Sequence, residues 1–230
     1  MSVATFYLSS PNTQQQAEAV EDMPVLLSYG ILKRKADFST HWINKGYQQS
    51  FSRILIDSGA FSVMNSGKTL DVGEYADWAE QWRPHADAIA GLDSIQGDWR
   101  QSLRNYEAQP YAFPTMHDTD PLELLDDLVP MARERGGWIG IGLEPPRGKK
   151  QHVVAEILER IPPDLHVHGW ALWQYAGLRG FRTRETCSFD STTWWRKAQY
   201  FRKHKAPWLT NAECTRITVK EFKRMERNLT

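Results

Sequence analysis

The chain has 230 residues, and its 28 Lys and Arg side chains balance 28 Asp and Glu, so the formal net charge is zero. This length suits one sizeable core, and we expect a single domain over residues 1–230. Zero net charge gives no sign that the whole molecule steers towards polyanions, and two cysteines, Cys187 and Cys214, exclude a disulfide framework and a Cys-rich zinc motif.

The amino-terminal stretch has neither the basic nor the apolar segment of a signal peptide, and no apolar run approaches the length of a membrane span. Two cysteines without a disulfide pattern are typical of a reducing compartment. We therefore expect a cytoplasmic protein with no membrane partner.

Short apolar runs alternate with amphipathic stretches along the chain. The predicted strands are 24–29, 54–57, 87–93, 111–117, 138–144, 166–171, 186–191 and 207–210. The predicted helices are 72–82, 98–108, 120–135, 153–161, 192–204 and 219–228, with a helix or loop over 33–52. Eight strand–helix units predict an α/β fold, a compact single (β/α)₈ TIM-type barrel. A doubly wound open sheet is the alternative, but no Gly-x-Gly-x-x-Gly follows the first strand.

The stretch 53–67 contains a short buried strand that ends abruptly at Asp57, followed by Ser58 and Gly59. Catalytic residues of barrels collect at the carboxyl ends of strands. Asp57 is therefore a candidate catalyst, with capping of the next helix as the equally open structural interpretation.

Polar residues end most predicted strands, and in a barrel these ends face one bowl. They are Ser28, Asp57, Asp93, His117, Glu144, His168 and Asp190. The three aspartates suit displacement at a sugar carbon, where one carboxylate attacks or stabilises the carbon and another moves a proton. Metal binding by His117, His166 and His168 with these acids is the alternative, and a hydrogen-bonded core histidine is a third. Metal catalysis is less favoured, and we expect no metal or other cofactor.

A resemblance to a known family adds to this. The segment Asp57-Ser58-Gly59-Ala60-Phe61-Ser62 resembles the Asp-Ser-Gly-Gly-Phe-Gln motif of tRNA-guanine transglycosylases. Segments 90–93, 139–144, 166–170 and 188–194 resemble later motifs of that superfamily in the same order, especially in its phage and bacterial branch that exchanges 7-deazaguanines into DNA. The matches run from about residue 25 to 195.

The resemblance implies that Asp190 attacks C1′ of a flipped nucleotide and that Asp57 is the general acid/base, so these two are the predicted catalytic residues. It implies that Asp93 and the Gly142 loop hold the base. The full predicted substrate-binding set is Asp93, Ser28, Tyr29, Ser58, Gly59, Phe61, His117, Gly142, Glu144, His168 and Trp170. Met64 is a further candidate for stacking on the base.

The sequence also departs from the tRNA enzymes. It has no Cys-x-Cys-x-x-Cys cluster for zinc, and His117 stands where those enzymes have the Gln that reads the base. DNA is therefore the expected partner rather than tRNA, with a free purine or 7-deazapurine as a further partner. Residues 176–230 hold 13 Lys or Arg against five Asp or Glu, and the predicted phosphate contacts are Arg179, Arg182, Arg184, Arg196 and Lys197. Ordinary solvated surface charge is the alternative for these five.

The predicted function is thus cleavage of N-glycosidic bonds in nucleic acid, with either exchange for a 7-deazaguanine or excision of a modified base. Excision by a DNA glycosylase that acts in defence against phage is the first alternative. A non-catalytic nucleic-acid-binding subunit and a metal-dependent small-molecule hydrolase are alternatives from other classes.

Overall fold

The structure is a computed structural model of the 230-residue chain. It describes residues 3–32, 46–64, 67, 69–95, 97–144 and 150–227. The predicted helix or loop over 33–52 falls largely outside these residues. Its last part contains a 3₁₀ helix, Tyr47–Ser50.

Eight parallel strands form one curled sheet. They are β1 Val3–Ser9, β2 Pro24–Ser28, β3 Arg53–Asp57, β4 Ala88–Ile89, β5 Thr115–His117, β6 Trp138–Gly142, β7 His166–Gly169 and β8 Thr186–Ser191. The order across the sheet is β4-β3-β2-β1-β8-β7-β6-β5. Strands that are adjacent in the sheet are therefore consecutive in sequence, except for the first and the last, β1 and β8, which pair with each other.

The two end strands of the sheet meet through a single parallel bridge between Ala90 and Phe113. The amide of Phe113 donates to the Ile89 carbonyl at 2.8 Å, and the amide of Gly91 donates to the Phe113 carbonyl at 2.8 Å. These bonds bring β4 next to β5. The predicted (β/α)₈ TIM-type fold is confirmed.

Helices follow most of the strands and pack on the outside of the sheet. Within the described residues the α-helices are Gln14–Ala19, Tyr29–Leu32, Ala60–Met64, Val72–Trp82, Trp99–Glu107, Leu125–Glu134, Gln151–Arg160, Arg179–Arg182, Thr193–His204 and Asn211–Arg227. Side-chain caps fix several starts: the carboxylate of Asp71 accepts from the Glu74 amide at 2.8 Å, for example. No helix in the described part of the chain is long and apolar enough to cross a membrane.

The strand residues divide between two apolar cores because successive side chains face opposite sides of a sheet. Leu8, Val167 and Phe189 belong to the large core between sheet and helices. Tyr7 and Phe113 belong to a smaller core inside the barrel, against which Trp138 and Trp170 pack. The barrel interior is thus filled beneath its carboxyl end, so a site at that end is closed from below.

One predicted strand was wrong, and one strand was not predicted. Residues 207–210 form turns that lead into the last helix, and Trp208 is 76% exposed there, so this Pro-containing segment has no buried face to pair. The eighth strand is instead Val3–Ser9, which lies between β2 and β8. Its run of β-branched and aromatic residues is typical of a strand. The last helix also begins earlier than predicted, at Asn211.

Candidate active site

A cavity of about 410 Å³ opens at the carboxyl ends of the strands. This volume lies within the range of about 300–1,000 Å³ that is usual for small-molecule sites. Its lining includes eleven of the predicted site residues: Ser28, Asp57, Ser58, Phe61, Asp93, His117, Gly142, Glu144, Trp170, Asp190 and Arg196. The barrel topology therefore brings together residues that are up to 168 positions apart.

Asp190, near the end of β8, has hydrogen bonds to both carboxylate oxygens. The Ser9 hydroxyl donates to Oδ2 at 2.6 Å, and the Ala171 amide donates to Oδ1 at 2.6 Å. Nε2 of His168 lies 3.6 Å from Oδ1, slightly beyond hydrogen-bond length. Burial alone would raise the pKa of Asp190, but His168, Ser9 and the Ala171 amide together lower it. Asp190 is therefore ionised at neutral pH.

Asp57 ends β3 in different surroundings. Burial raises the pKa of this carboxyl to about 7, the Gly59 amide opposes the rise, and the charges of Asp93 and Asp190 add to it. Gly59 has a φ of +77°, and a Cβ there would lie 2.6 Å from the Ser28 hydroxyl oxygen. Only glycine fits this turn, which brings the Gly59 amide to Asp57.

A buried ion-paired histidine occupies another part of the cavity wall. Nε2 of His117 lies 3.0 Å from Oδ2 of Asp93, and Nδ1 lies 3.6 Å from Oδ2 of Asp120. Burial alone would lower the pKa of His117, but these two carboxylates raise it to about 10. His117 is thus an imidazolium at neutral pH. A Cβ at Gly142 would lie 2.7 Å from this ring, so glycine there makes room for it.

The Ser28 hydroxyl lines the cavity at the end of β2, beside Asp57 in the strand register. Ser28 is 2% exposed, and its hydroxyl helps to lower the pKa of Asp57 through a hydrogen bond. Because it also lines the cavity, the same hydroxyl can contact a bound molecule.

Several predicted site residues lie elsewhere. Tyr29 is buried against Tyr75 and Trp78, with ring centroids 5.3 and 5.2 Å away. Gly59 lies behind the cavity wall, and His168 lies beneath its floor with no exposed surface. Met64 does not line the cavity.

The five predicted phosphate contacts do not form one surface. Arg196 lines the cavity mouth from the first turn of helix Thr193–His204, whereas Lys197 places its Nζ 5.4 Å from the Phe222 ring centroid. Arg179 and Arg182 are exposed and lie outside the cavity lining.

Arg184 was placed wrongly by the sequence. It is 3% exposed and donates to four backbone carbonyls, those of Leu158, Ile161, Pro162 and Leu165. It precedes β8, at the end of the barrel opposite to the cavity. Its two terminal nitrogens hold backbone together, and its Nε, which has no hydrogen-bond partner among the described residues, is buried with the rest of the side chain.

Sequence reasoning also missed residues that matter here. Ser9 was missed because its strand was not recognised, although a serine that ends an aromatic and β-branched run is the same signal that identified Ser28. Asp120, whose Oδ2 accepts a hydrogen bond from the His117 amide at 2.8 Å, was predicted only as part of the helix 120–135.

The alternative of a metal site is not supported by the donor geometry. No group of three or more His, Cys, Asp or Glu side chains in the described ranges could hold a metal ion. His166 and His168 instead share the hydroxyl of Ser188 inside the barrel.

Comparison with known proteins gives a likeness in structure alone. No family model matches the chain, and no curated protein matches it. A candidate fructose-1,6-biphosphate aldolase from Coccidioides immitis superposes with a TM-score of 0.62 at 10% identity, over 98% of this chain and 90% of that one. The YdjI aldolase from Escherichia coli K12 superposes with a TM-score of 0.59 at 12% identity, over 99% of this chain and 91% of that one. At such identities the likeness shows the fold.

These comparisons contradict the predicted function. The similar structures are aldolases, not nucleic-acid glycosylases, so the prediction of N-glycosidic bond cleavage in nucleic acid was wrong, in its exchange form and in its base-excision form. The C1′ attack by Asp190, base flipping and phage defence are withdrawn with it. The resemblance to transglycosylases and the DNA or tRNA partner stay untested predictions.

Proposed function

We propose that this chain is an enzyme that performs general acid–base catalysis on a small, hydroxyl-rich molecule bound in the cavity. The observation that carries the proposal is the contrast between Asp57 and Asp190, which line one cavity while their pKa values are shifted in opposite directions. Pairs of titratable groups whose environments separate their pKa values are the pattern of acid–base sites.

Asp57 is the proton donor in this proposal. With a pKa of about 7 it carries a proton in about half of the molecules at neutral pH, which is near the optimum for a catalytic acid. The Ser28 hydroxyl beside it lines the same cavity and supplies a hydrogen-bond partner for a substrate oxygen. Asp57 therefore protonates an oxygen held at this side of the cavity.

Asp190 acts as a fixed negative charge. Because Ser9 and Ala171 already donate to its two oxygens, it is oriented before substrate arrives and does not take up a proton at neutral pH. A preorganised carboxylate of this kind stabilises positive charge that develops on a reacting carbon.

The charges in the cavity define the substrate class. Asp57, Asp93, Glu144 and Asp190 line it, against the cations His117 and Arg196. Carboxylates accept hydrogen bonds and cannot donate them when ionised. A neutral molecule with several hydroxyl donors matches this lining better than an anion does.

Aldol cleavage, the activity named for the similar structures, requires a group that stabilises an enolate, such as a lysine Schiff base or a Lewis-acid metal. Among the described residues no lysine lines the cavity, and their donor geometry does not form a metal site. We therefore carry over the sugar-like substrate class suggested by those names and not their reaction.

The test is incubation of the purified protein with mixtures of small hydroxylated metabolites, followed by mass spectrometry for substrate loss and product gain. Conversion that is abolished in Asp57→Asn and kept in Asp77→Asn, an exposed carboxylate on helix Val72–Trp82, supports the proposal. Conversion that is unchanged in Asp57→Asn overturns it. A conversion that requires an added divalent metal would indicate aldol chemistry and overturn the proposal. So would a Schiff base between substrate and a lysine that borohydride reduces and traps.

A further inference from the structure

Three buried polar side chains lie beneath Asp190 inside the barrel. His166 and His168 come from β7, Ser188 comes from β8, and they are 9%, 0% and 0% exposed. The alternating residues of these strands, Val167, Cys187 and Phe189, belong to the outer core, so the polar three face inward.

These side chains form a continuous line to the carboxylate. Oγ of Ser188 lies 2.7 Å from Nε2 of His166 and 2.8 Å from Nδ1 of His168. Nε2 of His168 lies 3.6 Å from Oδ1 of Asp190 and has no hydrogen-bond partner among the described residues. This nitrogen therefore lies beside a carboxylate oxygen of the candidate catalytic residue.

The chemistry of the line sets its direction. An ionised Asp190 only accepts, so Nε2 of His168 carries its proton toward the carboxylate. In a neutral imidazole Nδ1 then accepts from the Ser188 hydroxyl, and the Ser188 oxygen accepts from Nε2–H of His166. Burial lowers the pKa of His166 to about 3, which keeps that ring neutral.

The surrounding rings hold both imidazoles in place. The Trp138 ring stacks on His166 with centroids 3.6 Å apart, and Trp170 and Tyr7 meet His168 edge-on at 4.3 and 6.0 Å. Apolar side chains would fill the same space without the cost of burying polar groups. Three polar residues that point at one carboxylate therefore indicate a use.

We infer that His168 is a positioning residue for Asp190, and that Ser188 and His166 fix the His168 tautomer that presents Nε2–H to the carboxylate. The inference rests on the proposed role of Asp190. The line does not touch the substrate cavity, so it acts only through the orientation and charge of that carboxylate.

Other groups act on the same residues and stay unchanged in the test. Ser9 and the Ala171 amide donate to Asp190 from β1 and from the segment after β7, and the charge of Asp190 in turn raises the pKa of Asp57. Arg53 and Arg184 lower the pKa of His166 through their charges, and Tyr7 packs on His168 from β1.

The first measurement is the tautomeric state of both histidines in the whole, substrate-free protein, by long-range ¹H–¹⁵N NMR at pH 7. We expect the Nε2–H form for His166 and for His168. A Nδ1–H form of His168 would overturn the inference, because its Nε2 would then present a lone pair to the carboxylate.

The second measurement compares two substitutions that keep different halves of the imidazole. In His168→Gln the side-chain amide can still donate to Asp190, whereas in His168→Asn it reaches only toward Ser188. We expect the pKa of Asp190, followed by carboxyl ¹³C NMR, to rise in His168→Asn and to stay low in His168→Gln. Equal titration of Asp190 in both variants and the wild type would overturn the inference.

Turnover provides the last comparison. Misplacement of a catalytic group can cost roughly 10²-fold in rate, so we expect about that loss in His168→Asn and partial recovery in His168→Gln. Thr218→Val, which removes a buried hydroxyl from the last helix far from Asp190, is the control for general destabilisation. The NMR titration needs no substrate, so it can fail while the proposed function stands. Full turnover in Asp190→Asn would overturn the proposed role of Asp190 in catalysis, and the role of His168 in turnover with it, without changing the NMR result.

Discussion

Asp57 and Asp190 occupy equivalent places in two regions of one barrel, at or near the carboxyl end of a buried strand that faces a shared cavity. The region around Asp190 supplies a hydroxyl and an amide at 2.6 Å, with an imidazole behind them. The region around Asp57 supplies the Gly59 amide together with the negative charges of Asp93 and Asp190.

The comparison shows that burial alone does not set the protonation state of a carboxyl group. Both side chains are removed from water, and in both cases this favours the neutral form. Donors outweigh that effect at Asp190 and do not at Asp57. One residue type at one kind of position can therefore supply both a fixed charge and a proton donor.

The largest effect is expected for Asp57→Asn, which removes the proton donor and keeps the shape of the side chain. General acid catalysis contributes about 10²–10⁴-fold to rate, so turnover should fall by that order. With wild-type protein, turnover should fall as pH rises through about 7, where Asp57 loses its proton. Steady-state kinetics between pH 5 and pH 9 measure both. A flat profile over that range would contradict the role of Asp57.

His117→Ala should cost the most stability. It leaves the carboxylates of Asp93 and Asp120 without their buried cation, and breaking a buried pair costs about 3–5 kcal/mol. Because the folded pKa of His117 is raised to about 10, its contribution is complete below the usual histidine pKa and is lost as pH rises through 10.

Urea unfolding at pH 6 and above pH 10 measures this difference, with His152→Ala, an exposed histidine on helix Gln151–Arg160, as the matched control. The difference in free energy of unfolding between wild type and His117→Ala should be smaller at the higher pH. An equal difference at both pH values would mean that His117 is not held as an imidazolium.

Arg184→Ala should lower stability by about 1–3 kcal/mol, because carbonyls that now accept from the guanidinium lose their donor. Arg182→Ala, at an exposed position two residues earlier, should stay within about 0.5 kcal/mol. Thermal unfolding of the two variants distinguishes a structural role of Arg184 from ordinary surface charge. Equal stability of both would show that Arg184 is surface charge after all.

The smallest effect is expected for Asp93→Asn, which sharpens the account of Asp57. The charge of Asp93 contributes to the raised pKa of Asp57, so its removal should move the pH midpoint of turnover to lower values. The midpoint is read from the same kinetic profile. Glu80→Gln on an exposed helix face should leave it in place. A midpoint that moves upward in Asp93→Asn would contradict the electrostatic explanation.

The sequence predicted the barrel and the acidic residues that line the cavity, because a polar residue at the end of an apolar strand can be recognised locally. The abrupt change from Ile54-Leu55-Ile56 to Asp57 identifies both a strand and a site, and the barrel closure then brings Asp57, Asp93 and Asp190 together. Val3–Ser9 was not predicted as a strand, and Ser9 was therefore not predicted as a site residue.

The contacts between elements could not be read from the sequence. Whether Arg184 meets phosphate or four carbonyls depends on how the preceding loop packs against helix Gln151–Arg160. The line from His166 through Ser188 to His168 depends on the register of β7 against β8, where His168 lies beside Ser188. The prediction of the reaction was wrong for another reason. Short motifs in the same order identified residues of the site, but they did not determine which reaction those residues catalyse.

The most direct test of the central claim is a carboxyl ¹³C NMR titration of the free wild-type protein, with Asp57→Asn and Asp190→Asn used to assign the two signals. The account predicts that Asp57 titrates near pH 7 and that Asp190 stays ionised to a pH below the usual range of aspartate. Titration of both side chains together near pH 4 would contradict it. Asp57 and Asp190 would then both be ionised at neutral pH, and neither could serve as the proton donor.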